Sequence, residues 1–204
     1  MAPIEGRNLT QLRDVFEKHD VEYLFVGKMA AILQGYPDTT QDADLFIDKG
    51  SDNGKRVISA LRELGFKLDD ELANEIERGR DFIQLTDGPF DLDLVHAPDG
   101  IEGYDDARRR AVEMDGFPLC SIEDIIESKR RSNREKDRES LPRLEDFSRY
   151  LKREPPAELK PLPPRRKAIR HGGDKTIPSP PQRPKPSTGT QPPEQRPEPN
   201  RTRR

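Results

Sequence analysis

The chain predicts an α/β (α+β) fold: a mixed β-sheet flanked by helices, closed by a C-terminal helical segment and followed by a disordered tail. Three observations lead there. Short apolar runs with the period of a strand alternate with stretches whose apolar residues recur at helical spacing. Two of those runs are joined by so short a turn that they are expected to be antiparallel neighbours, which makes the sheet mixed. Fourteen of the twenty prolines fall in residues 155–204, a stretch without Phe, Tyr or Trp.

Taken in order, Leu9, Leu12, Val15 and Phe16 fall on one helical face, with Asn8 as a cap. Glu22 to Val26 reads as a strand running into Gly27, and Lys28 to Gln34 as a short helix stopped by Gly35. The run Leu45-Phe46-Ile47, entered from Asp42, is the next strand. Val57, Ile58, Leu61 and Leu64 line a helix over Lys55 to Leu64 that Gly65 ends and that packs across the back of the sheet. A charged helix over 69–79 precedes a strand at Asp81 to Thr86, the turn Asp87-Gly88-Pro89 and a strand at Phe90 to Val95. Tyr104 to Met114 is expected to be helical, and Phe117 to Cys120 a short edge strand. Ser121 caps a helix with Glu123 and Asp124 in its first turn and Ile122, Ile125 and Ile126 as its buried stripe. Pro142 starts or kinks a closing helix whose apolar face is Leu144, Phe147, Tyr150 and Leu151.

Composition divides the chain into a domain at 1–153 and a tail at 154–204. The tail holds four Leu or Ile side chains, too few to offset the entropy of ordering fifty residues, so it is expected to be disordered and partly polyproline. Residues 155–204 carry twelve Lys or Arg against four Asp or Glu, a net +8, so the whole-chain −3 leaves −11 on the first 154 residues. An acidic domain and a basic tail are two electrostatic objects. One cysteine, Cys120, excludes an internal disulfide and fits a reducing compartment. No apolar run has the length of a membrane span, and the N-terminus lacks the apolar core of a signal peptide. The expected location is therefore cytoplasmic, without a membrane partner. Cys120 and the scattered His19, His96 and His171 have no zinc-ligand spacing.

The stretch that organises the rest is Val26 to Asp48. Side chains alternate across a strand, so Asp42, Asp44 and Phe46 share one face and Ala43, Leu45 and Ile47 the other. Two carboxylates pointing the same way repel unless a positive group lies between them, and magnesium, with its preference for hard oxygen donors, is the usual solution. Downstream, Phe90, Leu92 and Leu94 share a face that packs on helices, which turns Asp91 and Asp93 the other way. Either could supply a third acid. Lys129 lies four residues beyond Ile125, so its stem follows the buried stripe while its ammonium extends past the edge.

A strand, a glycine turn, a short helix, the segment GYPDTTQDADLFID and the later SIEDIIESKRRSNREKD together resemble the nucleotidyltransferase superfamily, the fold of DNA polymerase beta. Within it they are most similar to the small AbiEii-type and related minimal nucleotidyltransferases, many of them toxins of toxin–antitoxin pairs. The resemblance spans roughly Val21 to Leu151. It implies transfer of a nucleoside monophosphate from an NTP to a hydroxyl of RNA, protein or a small molecule, with one or two Mg²⁺ ions held by Asp42, Asp44 and Asp93. Asp93 fits the family pattern better than Asp91, because an apolar pair and a glycine loop follow it. The resemblance further implies that Gly27, Thr39 and Thr40 contact the triphosphate, that Lys129 neutralises it, and that an antitoxin protein is a partner.

Two positions depart from the family pattern. Lys28 stands where a second small residue usually follows the turn glycine, and Asp38 where related sequences often carry Arg. Lys28 could obstruct the phosphates or replace a lost contact as a point charge. The alternative to an active enzyme is thus a weak or inactive fold used as a binding module through protein or nucleic-acid partners.

Overall fold

The computed structural model describes residues 6–165. Along the chain run α1 (Gly6–Lys18), β1 (Tyr23–Val26), α2 (Gly27–Leu33), β2 (Ala43–Ile47), α3 (Ser51–Leu64), α4 (Asp70–Arg78), β3 (Phe82–Leu85) and β4 (Leu92–Val95). Then come α5 (Tyr104–Arg110), β5 (Val112–Met114), β6 (Phe117–Leu119), α6 (Ile122–Ser132), α7 (Glu135–Arg153) and β7 (Lys160–Pro161). The seven strands form one sheet in the order β3-β4-β2-β1-β6-β5-β7. It is mixed as expected, with β2–β4 and β1–β6 parallel and the other neighbours antiparallel. No helix among the described residues is long and apolar enough to cross a membrane.

The core is built from the strand runs and the helical faces that the periodicity marks. All of β1 is buried, as are Leu45, Phe46 and Ile47 of β2 and Leu92 and Leu94 of β4. Helix α1 contributes Leu9, Leu12 and Phe16, and α3 contributes Val57, Leu61 and Leu64. Gly65 ends α3 in a left-handed conformation, φ 95°. Helix α3 begins a turn earlier than its apolar stripe because Asn53 has structural work there. Its buried side-chain amide accepts from Glu22 N–H (2.8 Å) and donates to the carbonyls of Glu22 (2.9 Å) and Asp48 (3.1 Å). One amide thereby joins the entry of β1 to the exit of β2. Helix α1 likewise starts at Gly6, so Asn8 lies inside it rather than at its cap.

Further expectations need correction, the edge position of Phe117 to Cys120 among them, because β6 lies between β1 and β5. The helix expected over 104–114 stops at Arg110, and residues 112–114 pair with 117–119 as a hairpin. Its two turn residues, Asp115 (φ 51°) and Gly116 (φ 79°), have the left-handed values that an Asp-Gly hairpin turn requires. The closing helix starts at Glu135, and Pro142 lies within it at the cost of one backbone hydrogen bond. Packing of Leu144, Phe147 and Leu151 against the core holds the helix together around that proline. Tyr150, expected on the buried face, is 52% exposed.

The tail also begins later than residue 154. β7 pairs with β5, Leu162 N–H donates to the Ala111 carbonyl (2.9 Å), and Leu159 and Leu162 pack on the core. Arg165 pairs with Asp48 (3.0 Å), Asp105 (3.1 Å) and Glu22 (3.4 Å), and its guanidinium lies 5.4 Å from the Tyr104 ring. Composition hid this strap because its two leucines and one arginine are diluted among prolines. The rest of the expected disordered tail, 166–204, lies outside the described residues.

Two truncations test the boundary. A chain ended at Ala157 should lose about 1–3 kcal/mol of stability with the two half-buried leucines. One ended at Arg165 should keep the full-length midpoint, and paired urea melts of the truncated and full-length chains would check both.

Candidate active site

The register of two parallel strands assembles the site. In the β2–β4 pair Asp44 stands directly opposite Asp93, flanked by Ala43 opposite Leu92 and Leu45 opposite Leu94. Ala43, Leu45, Leu92 and Leu94 are all buried, so the sheet's alternation turns both acids to the other face. On its other side Asp44 faces Val26, the last residue of β1. Gly27 follows at φ 67°, and a Cβ built on it would lie 2.4 Å from Asp44 Oδ2. The turn glycine is thus required twice, for its backbone angle and for the space the carboxylate occupies.

Burial, then the charges of Asp93 and Asp42, pushes the Asp44 carboxyl up to about 6, against the ammoniums of Lys136 and Lys129. Asp93 is raised too, chiefly by burial, with Asp42 and Asp91 adding to it and Gln84, opposite it on β3, opposing. These acids are short of positive charge. Acids elsewhere on the domain behave oppositely: Asp81 is drawn below the usual carboxylate range by the Lys49 hydrogen bond.

The other expected residues divide. Asp42 precedes β2, is exposed, and reaches the pair by its charge. Its N–H points to Thr40 Oγ1 at a long 3.5 Å, while Thr39 N–H donates to Asp38 (2.7 Å), so both threonines shape the loop before the strand. Lys28 pairs with Asp38 at 3.6 Å. The two positions that depart from the family pattern therefore compensate each other. Asp91 is buried just before β4. His96, directly after β4, is buried with Nδ1 2.7 Å from the Arg80 carbonyl, and burial lowers its pKa.

Lys129 is placed differently from the expectation of an ammonium free to meet phosphate. Its Nζ is held by Asp137 of α7 at 2.9 Å, and Ser132 Oγ donates to the same carboxylate at 2.6 Å. This knot fixes the corner between α6 and α7, where Asn133 takes a left-handed conformation, φ 48°. The cation that acts on both Asp44 and Asp93 without an ion pair of its own among the described residues is Lys136. Its place in a run of mixed charge gave no signal. Neither did Gln84, whose role depends on strand pairing.

The donors suit magnesium. Carboxylate oxygens are its preferred ligands, and it is commonly held by one or two carboxylates together with substrate phosphates and water. Asp44 and Asp93 supply such a pair. Among the described residues no group of three or more His, Cys, Asp or Glu is placed to hold a metal ion, so the expected trio of Asp42, Asp44 and Asp93 is not assembled and only the pair remains.

No protein-family model matches the chain, and no curated protein does. Among solved structures, a Thermotoga maritima protein provisionally named a nucleotidyltransferase is similar at 16% identity and a TM-score of 0.41, over 72% of this chain and 92% of its own. The JHP933 protein of Helicobacter pylori is 17% identical with a TM-score of 0.36, over 60% of this chain and 53% of its own. A further Helicobacter pylori structure, also provisionally named a nucleotidyltransferase, is 21% identical with a TM-score of 0.35, over 62% of this chain and 59% of its own. The chain spans little more than half of either Helicobacter pylori neighbour.

The charge imbalance has a pH signature. Folded Asp44 keeps its proton to about pH 6, while its unfolded counterpart loses it near 3.8. This group's contribution therefore falls as pH rises between those values and is a full penalty above them. Asp44→Asn should stabilise the metal-free protein at pH 7.5 by up to about 3 kcal/mol, the equivalent of the two-unit shift, with the gain vanishing below pH 4. Denaturant melts across that range would show it. Gly27→Ala should instead destabilise by about 1–3 kcal/mol and displace the carboxylate, with the loss reduced when Asp44→Ala is added, as a double-mutant cycle would reveal.

Proposed function

We propose that the protein is a metal-dependent nucleotidyltransferase that moves a nucleoside monophosphate from an NTP to a hydroxyl acceptor. The observation that carries this reading is the in-register pair Asp44–Asp93, half-buried and raised in pKa despite the ammonium of Lys136 acting on both. A like-charged pair at that cost is a candidate for function before structure. Mg²⁺ bound there would supply the missing positive charge and withdraw electrons from the phosphate oxygens.

The chain's own groups then have distinct tasks. Asp44 and Asp93 would hold the ion, with Asp42 adding negative charge from the exposed end of the strand. Asp93, opposite Gln84, would take the proton of the attacking hydroxyl as base or, as a ligand of the ion, help that hydroxyl ionise. The new bond joins that oxygen to the α-phosphorus as the bond to the β-phosphate breaks and pyrophosphate leaves. Lys136, and Lys129 behind it, offset charge on the departing phosphates. Gly27 keeps the backbone close enough for its neighbours' amides to meet phosphate oxygens. A toxin restrained by an antitoxin is the biological setting this activity fits, from the motif resemblance.

A second reading is favoured by the Lys28–Asp38 pair. It stands where the resembling family has a small residue and often an arginine, and a fold so altered could serve as a binding module with little or no turnover.

Incubation with each α-labelled NTP, Mg²⁺ and cellular RNA or protein decides between them. Label transfer by the wild type, abolished in Asp44→Asn and Asp93→Asn, is the expected result, and Mg²⁺ should raise the melting temperature of the wild type alone. Full transfer by Asp44→Asn would sink the site assignment. In a nucleotide titration, Lys28→Ala should bind more weakly if the ammonium serves the triphosphate, and Lys28→Ser more tightly if it obstructs. Absence of nucleotide binding in all folded variants would leave the binding module.

A further inference from the structure

Beside the Gly35–Pro37 segment, α7 forms a groove of about 460 Å³, with Tyr36 and Pro37 on one side and Arg143, Phe147 and Tyr150 on the other. Aromatic rings run through it in series. Tyr36 meets Phe147 edge to face at 5.4 Å, and Phe147 stacks with Tyr150 at 6.4 Å and 26°. Tyr150 presents its outer face to solvent at the end of this series. The Arg143 guanidinium lies 5.7 Å from the Tyr36 ring and donates to the Pro37 carbonyl at 3.5 Å. Tyr36 Oη is buried without a hydrogen-bond partner, so this wall is one polar contact short. Asp146 on the rim is neutralised by Arg149.

The groove is tied to the acid pair in two ways. The segment that walls it, Tyr36-Pro37, runs on through Asp38 to Thr40 and reaches Asp44 eight residues later. Along α7, Lys136, Arg143 and Tyr150 are spaced seven residues apart, which keeps them within about 40° of one helical face and places successive members about 10 Å apart. Lys136 acts on Asp44 and Asp93 at one end of this stripe, and Tyr150 closes the groove at the other. Arg149 and Lys152 on the same helix are ion-paired, whereas Lys136 and Arg143 have no ion pair among the described residues.

We propose that this groove seats an unpaired base of a single-stranded RNA, stacked on Tyr150, with the strand's phosphates following Arg143 and Lys136 towards the acid pair. The inference rests on the nucleotidyl-transfer reading and names its acceptor class. Alternating planar rings and anions match a surface that alternates an exposed ring with unpaired cations, and stacking on aromatic side chains is how single strands are held. An apolar peptide would bury the two cations without compensation. A duplex keeps its bases stacked on one another and has none to offer Tyr150.

The basic tail would bind any polyanion, so the test must read stacking. A short single-stranded RNA carrying one 2-aminopurine loses fluorescence when that base stacks on an aromatic ring, and residues 166–204 contain no Phe, Tyr or Trp that could quench it. With the full-length chain, saturable quenching is expected. Tyr150→Ala should abolish it and weaken binding about fivefold or more, while Tyr150→Phe keeps it. Arg143→Ala should weaken binding and lower the salt slope by about 0.7. Quenching unchanged in Tyr150→Ala, or equal affinity for single-stranded and duplex RNA without quenching, would overturn the proposal. Label transfer run in parallel separates the two readings: Tyr150-dependent quenching without transfer to any acceptor supports the groove while removing the enzyme. Transfer to protein or a small molecule without RNA quenching removes the groove and keeps the enzyme.

Discussion

The parallel pairing of β2 with β4 is the constraint on which the candidate site depends. Ala43 and Leu45 on one strand and Leu92 and Leu94 on the other are buried together, and that burial sets the register. A slip of β4 by one residue would carry Leu92 and Leu94 to the opposite face, at about 1.5–3 kcal/mol for each of these side chains exposed. Repulsion between Asp44 and Asp93 is smaller than that sum. Hydrophobic packing therefore holds two carboxyls side by side, and burial, the first cause of the rise in both pKa values, marks the cost of keeping them there.

The same strands are closed at their other end. Two residues beyond Asp44, on the same face, Phe46 is buried and meets Tyr104 of α5 edge to face at 5.3 Å. The strap that ends at Arg165 lies over Tyr104 in turn. Only the start of β2 is left open, between the Gly27 turn and the corner of α6 and α7. An acid pair in a half-buried recess feels low dielectric, yet remains reachable by a hydrated ion and a phosphate.

Positive charge around that recess is divided between structure and availability. Lys129 is committed to Asp137 and Ser132, an interaction that sets the angle at which α7 leaves α6. Because that corner is fixed, Lys136 comes to rest within electrostatic reach of both acids, and the stripe through Arg143 to Tyr150 points away from them. Lys28, closest in sequence to the turn glycine, is turned towards Asp38.

Local pattern was enough for much of this. The strand runs of β1 to β4, the α3 and α6 stripes and the Gly65 and Ser121 caps follow from alternation and helical spacing, which depend on neighbours in the chain. The mixed sheet followed from one tight turn. Other features required the folded chain, because their causes lie far away in sequence. The Asp115-Gly116 hairpin exists because β6 pairs with β1 and offers β5 an edge, although its turn chemistry was visible. Asn53, Gln84 and Lys136 acquire roles from partners about 10 to 90 residues distant, and Lys129 is diverted by a carboxylate on the next helix. The strap at Leu159–Arg165 is held by a sheet edge and three acids that composition could not place beside it. Which of Asp91 and Asp93 faces Asp44 is a matter of register between two strands, and register is decided by the burial of both at once.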